Sequence, residues 1–398
     1  MPLKLALIAY LPTDSVTLGF LPAAQQLGWQ VTLYTNLPEL HHKAYGHLPF
    51  EVNIVHAEVF QVQSLIATVS QNGTPDVVFT NSDHLQTQTA LLADYFDLPS
   101  KPWKAAYRCK NKREMRIQLG ETLHHTVLEP HHEVPTDHPY PVVLKPREGV
   151  SSKHAYFIED AATLLERTRH IWAEDPIPLV IEGYLQGDLY TLETLGDGEK
   201  TVVLGGFKTT ISPPPYFIEQ RLDWQPDLPE QLVKDVLGQL EKLGVGFGSC
   251  HTECVWDGKT ATLIEVNYRN IGDQCDLLLQ DLLKFSLFEW VLKIHAGAKL
   301  PELNLPRKHA TVHYLFPDQD GTVTSAPENQ TFVSDGVQAE VQVISNVGDE
   351  VDATSSNPSS LGLIRLIGES PEHIQQAIDT LERTLTWHIQ PLQLAPTS

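Results

Sequence analysis

The sequence lacks any run of about 18 apolar residues, the length that a membrane-crossing helix needs, so no such helix is expected. Its apolar N-terminal run, residues 3–10, is short and has no small-residue cleavage site, so a secretory signal is not expected either. Cysteine is scarce, with only Cys109, Cys250, Cys254 and Cys275. The Cys250–Cys254 interval is zinc-like, but no second pair follows, and reduced thiols of a cytoplasmic protein are the simpler expectation. Positive charge is also short: 28 Lys and Arg stand against 50 Asp and Glu, a formal net charge of −22. Such a chain repels nucleic acid and anionic membrane surfaces as general partners. It can hold a polyanion such as a nucleotide only through a few local lysines and a metal. Finally, no Gly-x-Gly-x-x-Gly follows the first apolar run, where the turn reads Leu11-Pro12-Thr13-Asp14. This counts against a dinucleotide-dependent enzyme.

What is present is an ordinary globular mixture, 41% hydrophobic and 20% charged over 398 residues, long enough for two to three domains. Apolar runs at 3–10, 30–36 and 76–80 read as strands. Helical patterns lie between them and at 85–96, so residues 1–100 read as a small α/β domain with a parallel sheet. Residues 110–119 form a basic helix. Strands follow at 178–195 and 201–207, a helix at 229–243, two strands within 251–267 and one long apolar helix at 277–296. Short strands and an amphipathic helix at 371–388 complete the chain.

Three segments carry chemistry. In 141–157, an apolar strand ends in Lys145 and a Gly149-Val150-Ser151-Ser152-Lys153 turn leads into a returning strand. A lysine facing a small-residue loop suits phosphate oxygens, although an ordinary hairpin explains the pattern as well. In 179–193, a strand runs into Glu182, then Gly183-Tyr184-Leu185 and Asp188. A strand edge there would offer free N–H and C=O groups to an adenine, with carboxylates for ribose, and a plain strand and loop is an equally good reading. In 251–269, Asp257-Gly258 signals a hairpin, Glu265 and Asn267 share one face of a strand, and Glu253 lies on its partner. Two carboxylates and an amide oxygen make a hard donor set that suits Mg²⁺ or Mn²⁺ rather than zinc. The pairing requires an odd loop or a bulge, which would make Glu253 and Glu265 diagonal neighbours on one face. Arg269 could then sit beside the same phosphates. A solvated surface hairpin accounts for Asp257 and Lys259, but not for acids and an amide inside the apolar run Thr262–Asn267.

Taken in order, these segments resemble the ATP-grasp superfamily. Lys112, in Cys109-Lys110-Asn111-Lys112, stands at the family's first nucleotide lysine, and Lys145 at the second. Ser151 and Ser152 fall in the loop that closes over the phosphates, and Glu182, Gly183, Tyr184 and Leu185 in the adenine hinge. Glu253, Glu265 and Asn267 fall on the metal-ligand positions, and Arg269 on the phosphate-contacting arginine. Within the superfamily the chain looks most like carboxylate–amine ligases of the group containing bacterial L-amino-acid ligases. There the run after the metal strand is Asn-Pro-Arg-x-Gly-Gly-Asp, whereas here it is Asn267-Tyr268-Arg269-Asn270-Ile271-Gly272-Asp273. Leu189 stands where members often carry a second ribose acid, and Asp188 is the candidate replacement.

The resemblance implies an α/β ATP-grasp fold in four parts. These are an N-terminal parallel-sheet domain at 1–105, a small nucleotide subdomain at 106–180, a central metal-binding subdomain at 181–298 and a C-terminal lid at 299–398. It also implies ATP-dependent ligation of a small-molecule carboxylic acid to an amine through an acyl phosphate, with ATP and Mg²⁺ as cofactors, Lys145 and Arg269 as catalytic cations, and a homodimer as the candidate assembly. Products of the dipeptide or siderophore type fit this chemistry. The same fold with bicarbonate or formate as the acid is the alternative enzyme, and a non-catalytic ATP-binding protein is the third reading. Asp273 and Asp276 are placed on the substrate side, where a carboxylate would hold an ammonium group. For Asp276, capping a helix that starts near Leu277 is the competing expectation.

Overall fold

The N-terminal apolar run forms the strand Lys4–Ile8, buried over its last four residues. Gln30–Thr35 pairs with one side of it and Val77–Phe79 with the other, and Asn53–His56 lies outermost beside Gln30–Thr35; all are parallel. The chain therefore builds outward from its first strand and returns to that strand's other side. The switch falls between Lys4–Ile8 and Val77–Phe79, and the crevice at the carboxyl ends of such strands is where open α/β sheets place polar ligand-binding groups. Asp14 and Ser15 follow the first of these strands, and Asn81 and Asp83 the second. Helices Val62–Gln71 and Gln86–Tyr95 cover the sheet through Leu65, Val69, Leu92 and Ala93.

The computed structural model describes residues 1–120, 123–150, 152–353 and 360–391. Their contacts divide the chain into two units: Met1–Gly120, Tyr190–Gly206 and Asp227–Pro306 in the first, and Glu121–Leu189, Phe207–Pro226 and Arg307–Ser398 in the second. Besides the parallel sheet, the first unit holds strands Phe247–Trp256 and Ala261–Asn267, an antiparallel pair. Helices Lys112–Leu119 and Glu230–Leu243 bury Met115, Leu119, Leu232, Val236 and Leu240 with Leu263 and Val266 of that pair. Arg116, itself buried, donates to the carbonyl of Leu263 at 2.7 Å and so locks the helix that begins at Lys112 onto the strand that carries Glu265.

In the second unit, strands lie in the order His125–Leu128, Leu179–Gly183, Val142–Pro146, Tyr156–Ile158, each antiparallel to its neighbour. Helix Ala161–Glu174 packs Leu164 and Ile171 on Leu144, Ile158 and Ile181. Asp160 caps it by accepting the Thr163 N–H at 2.8 Å. Further along, Gly362–Gly368 lies between His309–Leu315 and Val337–Val343, and helix Pro371–Thr384 covers them with Ile374, Ile378 and Leu381.

Three local expectations need correction. The apolar stretch 277–296 is two helices, Cys275–Leu283 and Leu287–His295, because Lys284 takes a left-handed conformation (φ 52°) between them. The basic stretch 110–119 is likewise broken at Asn111, the cap of Lys112–Leu119, whose side chain accepts the Glu114 N–H at 3.2 Å. The amphipathic pattern 371–388 ends as a helix at Thr384, and His388–Gln390 is a strand.

Candidate active site

The hairpin from Phe247 to Asn267 fixes the predicted metal residues. Its loop is residues 257–260, where Asp257 accepts the N–H groups of Lys259 and Thr260 at 2.8 and 2.7 Å and Gly258 supplies φ +91°. That loop is even, and left alone it would put Glu253 and Glu265 on opposite faces. The required odd residue comes from a bulge: Cys254 pairs with Leu263, but Glu253 pairs with Glu265, leaving Ile264 as the extra residue. The two glutamates are thus directly opposite rather than diagonal, and His251 is opposite Asn267.

Around this pair the first unit gathers cations. Lys112 Nζ lies 3.3 Å from Glu265 Oε2. His251 bridges two acids, with Nδ1 2.7 Å from Glu193 Oε1 and Nε2 3.5 Å from Glu253 Oε1. Burial disfavours the charged imidazole, but Glu193 and then Glu253 outweigh it and push His251 up to about 10. Thr191 steadies Glu193 with a 2.8 Å hydrogen bond. Lys112, His251 and Asn267 are buried, while Glu253 and Glu265 remain about a fifth to a quarter exposed. The open, acidic, oxygen-bearing end of the cluster is what a hard divalent cation favours.

The donor set fits Mg²⁺ or Mn²⁺. Among the described residues no three His, Cys, Asp or Glu side chains are grouped to hold a metal. Glu253, Glu265 and the Asn267 amide oxygen would therefore share the ion with oxygens from a substrate, the usual mode for Mg²⁺ on phosphates. Asn267 Nδ2 lies 3.5 Å from Glu253 Oε1; turning the amide over presents its oxygen on that side instead. Zinc fits less well: Cys250 and Cys254 are buried, and among the described residues no third His, Cys, Asp or Glu joins them in a metal-holding group.

The segment after Asn267 folds sharply. Arg269 N–H donates to the Asn267 carbonyl at 2.7 Å, and its guanidinium to the Asn270 carbonyl at 2.6 Å. Asn81, just past strand Val77–Phe79, accepts the Asn270 N–H at 3.2 Å. Gln274 bonds Asp14, and Lys110 pairs with Asp83. Burial would raise the Asp83 carboxyl, but Lys110 and Arg269 hold it below the usual range. Asp273 and Asp276 meet different surroundings: Asp273 is exposed at φ 51°, whereas Asp276 is fully buried. The capping expectation for Asp276 fails in detail. The helix begins at Cys275 after Gln274, and Asp276, in its first turn, accepts the Leu277 N–H at 3.0 Å. Burial pushes Asp276 up to about 7, against the opposing effects of Ser15 and Arg269.

In the second unit, Lys145 Nζ pairs with Glu182 Oε2 at 2.7 Å, both largely buried. The expectation of a strand edge at Glu182 is wrong, because Leu179–Gly183 lies between His125–Leu128 and Val142–Pro146. The Gly183 and Tyr184 N–H groups are taken by the carbonyls of His124 at 2.9 Å and Pro141 at 3.2 Å. The chain leaves the sheet after Gly183, at Tyr184 and Leu185. Asp188 is exposed and paired with Lys208 at 2.8 Å. Gly149 is required by space, since a Cβ there would lie 2.9 Å from Pro146 Cβ. Ser152 is exposed at φ 53°, and Ser151 lies outside the described residues.

The Glu193–His251 pair, Lys101 and the Asp83–Lys110 pair do not stand out in the sequence. Their signal was present but weak: Thr191 and Glu193 are polar residues two apart in an apolar strand, and Lys101 sits in a Pro-flanked turn that looks exposed.

The fold is that of an ATP-grasp protein. Residues 109–272 match the ATP-grasp domain family, so the chain carries an ATP-grasp domain. Along nearly its whole length it is similar to the L-amino acid ligase of Bacillus licheniformis, with a TM-score of 0.79 at 22% identity, covering 97% of this chain and 98% of that one. It is also similar to phosphoribosylglycinamide synthetase of Anaerococcus prevotii, with a TM-score of 0.73 at 12% identity, covering 98% and 100%. In sequence, the uncharacterized protein y4rH of Sinorhizobium fredii is 26% identical over 261 residues, which are 63% of this chain and 54% of that protein. The chain thus spans about half the length of the curated relative it matches. Among the described residues no helix is long and apolar enough to cross a membrane.

Proposed function

We propose that the protein is an ATP-dependent, ADP-forming carboxylate–amine ligase. The observation that carries this reading is the bulged hairpin that sets Glu253 directly against Glu265, with Asn267 beside them and Lys112 on Glu265. In this reading Glu253, Glu265 and Asn267 hold Mg²⁺, which when bound offsets the charge of the ATP phosphates. Lys112, Lys145 and Arg269 bind phosphate oxygens through charge-assisted hydrogen bonds. Glu182, Gly183, Tyr184 and Leu185 flank the adenine, Asp188 serves the ribose, and Ser151 and Ser152 cover the phosphates. A substrate carboxylate oxygen attacks the γ-phosphorus, and the β–γ bridging oxygen leaves with ADP. The acyl phosphate so formed is attacked at carbon by a neutral amine, which loses a proton as phosphate departs. The protein positions the reactants and neutralises charge and needs no protein nucleophile. Asp273, which is exposed, is the acid that would meet the amine; Asp276 is fully buried and drops out of the substrate side. Likeness of fold to an L-amino acid ligase supports amino acids as the first substrates to try, with dipeptide or siderophore-type products.

The test is a screen for ADP release over amino acids and polycarboxylates, with mass spectrometry of the products. ADP formation that requires both an acid and an amine, with a product lighter than their sum by one water, is the expected result. ADP formation dependent on bicarbonate or formate would move the protein to the carboxylase or formyl-transferring reading. Nucleotide binding without ADP release under any condition would leave a binding protein.

A further inference from the structure

We infer that Lys101 is a positioning residue that holds the Asn267–Arg269 turn through the carbonyl of Tyr268. The inference rests on the ligase reading for what the turn does, but the contacts stand by themselves. Lys101 is buried, and its Nζ donates to the Tyr268 carbonyl at 2.5 Å and to Gln86 Oε1 at 2.8 Å. It also lies 4.7 Å from the centre of the Tyr268 ring. At its far end, the Tyr268 hydroxyl accepts the N–H groups of Gly246 and Phe247 at 3.2 and 3.1 Å. Tyr268 is thus gripped at backbone, ring and hydroxyl, and its two chain neighbours are Asn267 and Arg269.

A lysine is a costly way to fill buried space unless its ammonium is used. Here the neighbouring strand makes room for it. At Gly248 (φ +73°) a Cβ would lie 2.9 Å from Lys101 Cε and 3.1 Å from His295 Nε2. An apolar side chain at 101 would remove a donor from both the Tyr268 carbonyl and the Gln86 amide.

The grip is sensitive to pH. Burial lowers the Lys101 ammonium to about 7. The titratable groups around it are Cys250 of strand Phe247–Trp256, Cys109 of helix Trp103–Lys110, His295 of helix Leu287–His295, Asp83 and Arg269. Both thiols are pushed up by burial and His295 is pushed well down, so all three are neutral near pH 7; Asp83 and Arg269 are charged. Lys101 is therefore the group here that changes charge in this range. Its neutral amine keeps two N–H donors but loses the charge that strengthens them. The turn is held best below pH 7. Fold stability runs the other way: between the folded value of about 7 and the unfolded value of about 10.5, the unfolded chain binds more protons, so stability rises with pH.

The experiment uses the full chain as wild type, Lys101→Arg and Lys101→Met. Amide exchange of the segment 267–270 is read at pH 6.5 without ligand, and binding of a non-hydrolysable ATP analogue with Mg²⁺ is read at pH 6 and 8.5. Arginine stays charged at both. We expect exchange about tenfold faster in Lys101→Met and near wild type in Lys101→Arg. We also expect the Lys101→Arg to wild-type affinity ratio to rise from about one at pH 6 to roughly threefold at pH 8.5, with Lys101→Met weaker than both at pH 6. Unchanged exchange in Lys101→Met overturns the inference, as does altered exchange with wild-type nucleotide affinity at both pH values. If Lys101→Met does not fold, the ratio of Lys101→Arg to wild type decides: a ratio that does not change with pH overturns the inference. Faster exchange in Lys101→Met, together with a wild type that binds no nucleotide, leaves the grip intact and removes the ligase reading.

Discussion

Glu265 concentrates the argument at the scale of single residues, because Lys112 reaches it and Glu253 faces it. Replacing it with Gln removes one negative charge from the proposed metal site while keeping the shape. Glu265→Gln should reduce Mg²⁺-dependent ADP formation by at least about 100-fold, with stability changed by less than about 1 kcal/mol. Full turnover at ordinary Mg²⁺ would remove Glu265 from the metal site. In the second unit, Lys145→Ala should weaken ATP binding by about 1.5–3 kcal/mol. It also takes the ion-pair partner from Glu182, so Lys145→Ala/Glu182→Gln is the control for stability. Unchanged affinity in folded Lys145→Ala would return residues 141–157 to an ordinary hairpin. Asp276 gives a prediction in pH. Its folded value of about 7 lies above the unfolded value, so the folded state binds the extra proton between about 4 and 7, and stability is lost as pH rises through 7. Asp276→Asn should therefore be more stable than wild type at pH 8, on the order of 2 kcal/mol, with the gap closing toward pH 5. A gap independent of pH, measured by denaturant melts, would contradict this. Residue types were legible in sequence at Glu253, Glu265 and Asn267, because polar groups inside an apolar strand need a reason. Glu193 and Lys101 were not, since their partners lie 58 and 167 residues away.

At the scale of elements, the hairpin shows where legibility stops. Asp257-Gly258 announced the turn and the apolar run Thr262–Asn267 announced the strand. Register depended on a four-residue loop plus a bulge at Ile264, two features that adjacent sequence does not distinguish from a plain turn. The apolar stretch 277–296 failed differently: periodicity continued across Lys284, whose left-handed backbone an apolar pattern does not register. Helix Lys112–Leu119 offers a test at this scale. Its Asn111 cap starts the helix at the lysine that meets Glu265. Asn111→Ala should cost about 1 kcal/mol of stability and weaken nucleotide binding several-fold, because the first turn sets the Lys112 backbone. Thermal melts and nucleotide titration would check both, and unchanged nucleotide affinity beside a lowered Tm would separate the cap from the site.

At the scale of the whole molecule, motif order from residue 110 to 269 identified the ATP-grasp fold, while composition set only the class of globular chain. The parallel N-terminal sheet was legible from three apolar runs; its fourth strand, Asn53–His56, is half-exposed at the sheet edge and gave no apolar signal. The strands after residue 306 were read only in part, because Gln330–Ser334 and Gly321–Ser325 are short and largely polar. With a net charge of −22, the proposed phosphate cations Lys112, Lys145 and Arg269 stand against 50 acids, so each would count. The central claim is that ATP activates a carboxylate as an acyl phosphate. It is tested most directly by supplying the acid with ¹⁸O in its carboxylate and following the label by mass spectrometry. One ¹⁸O carried into inorganic phosphate, together with ADP and the condensed amide, is the predicted result; ¹⁸O in AMP, or phosphate free of label while amide forms, would contradict it.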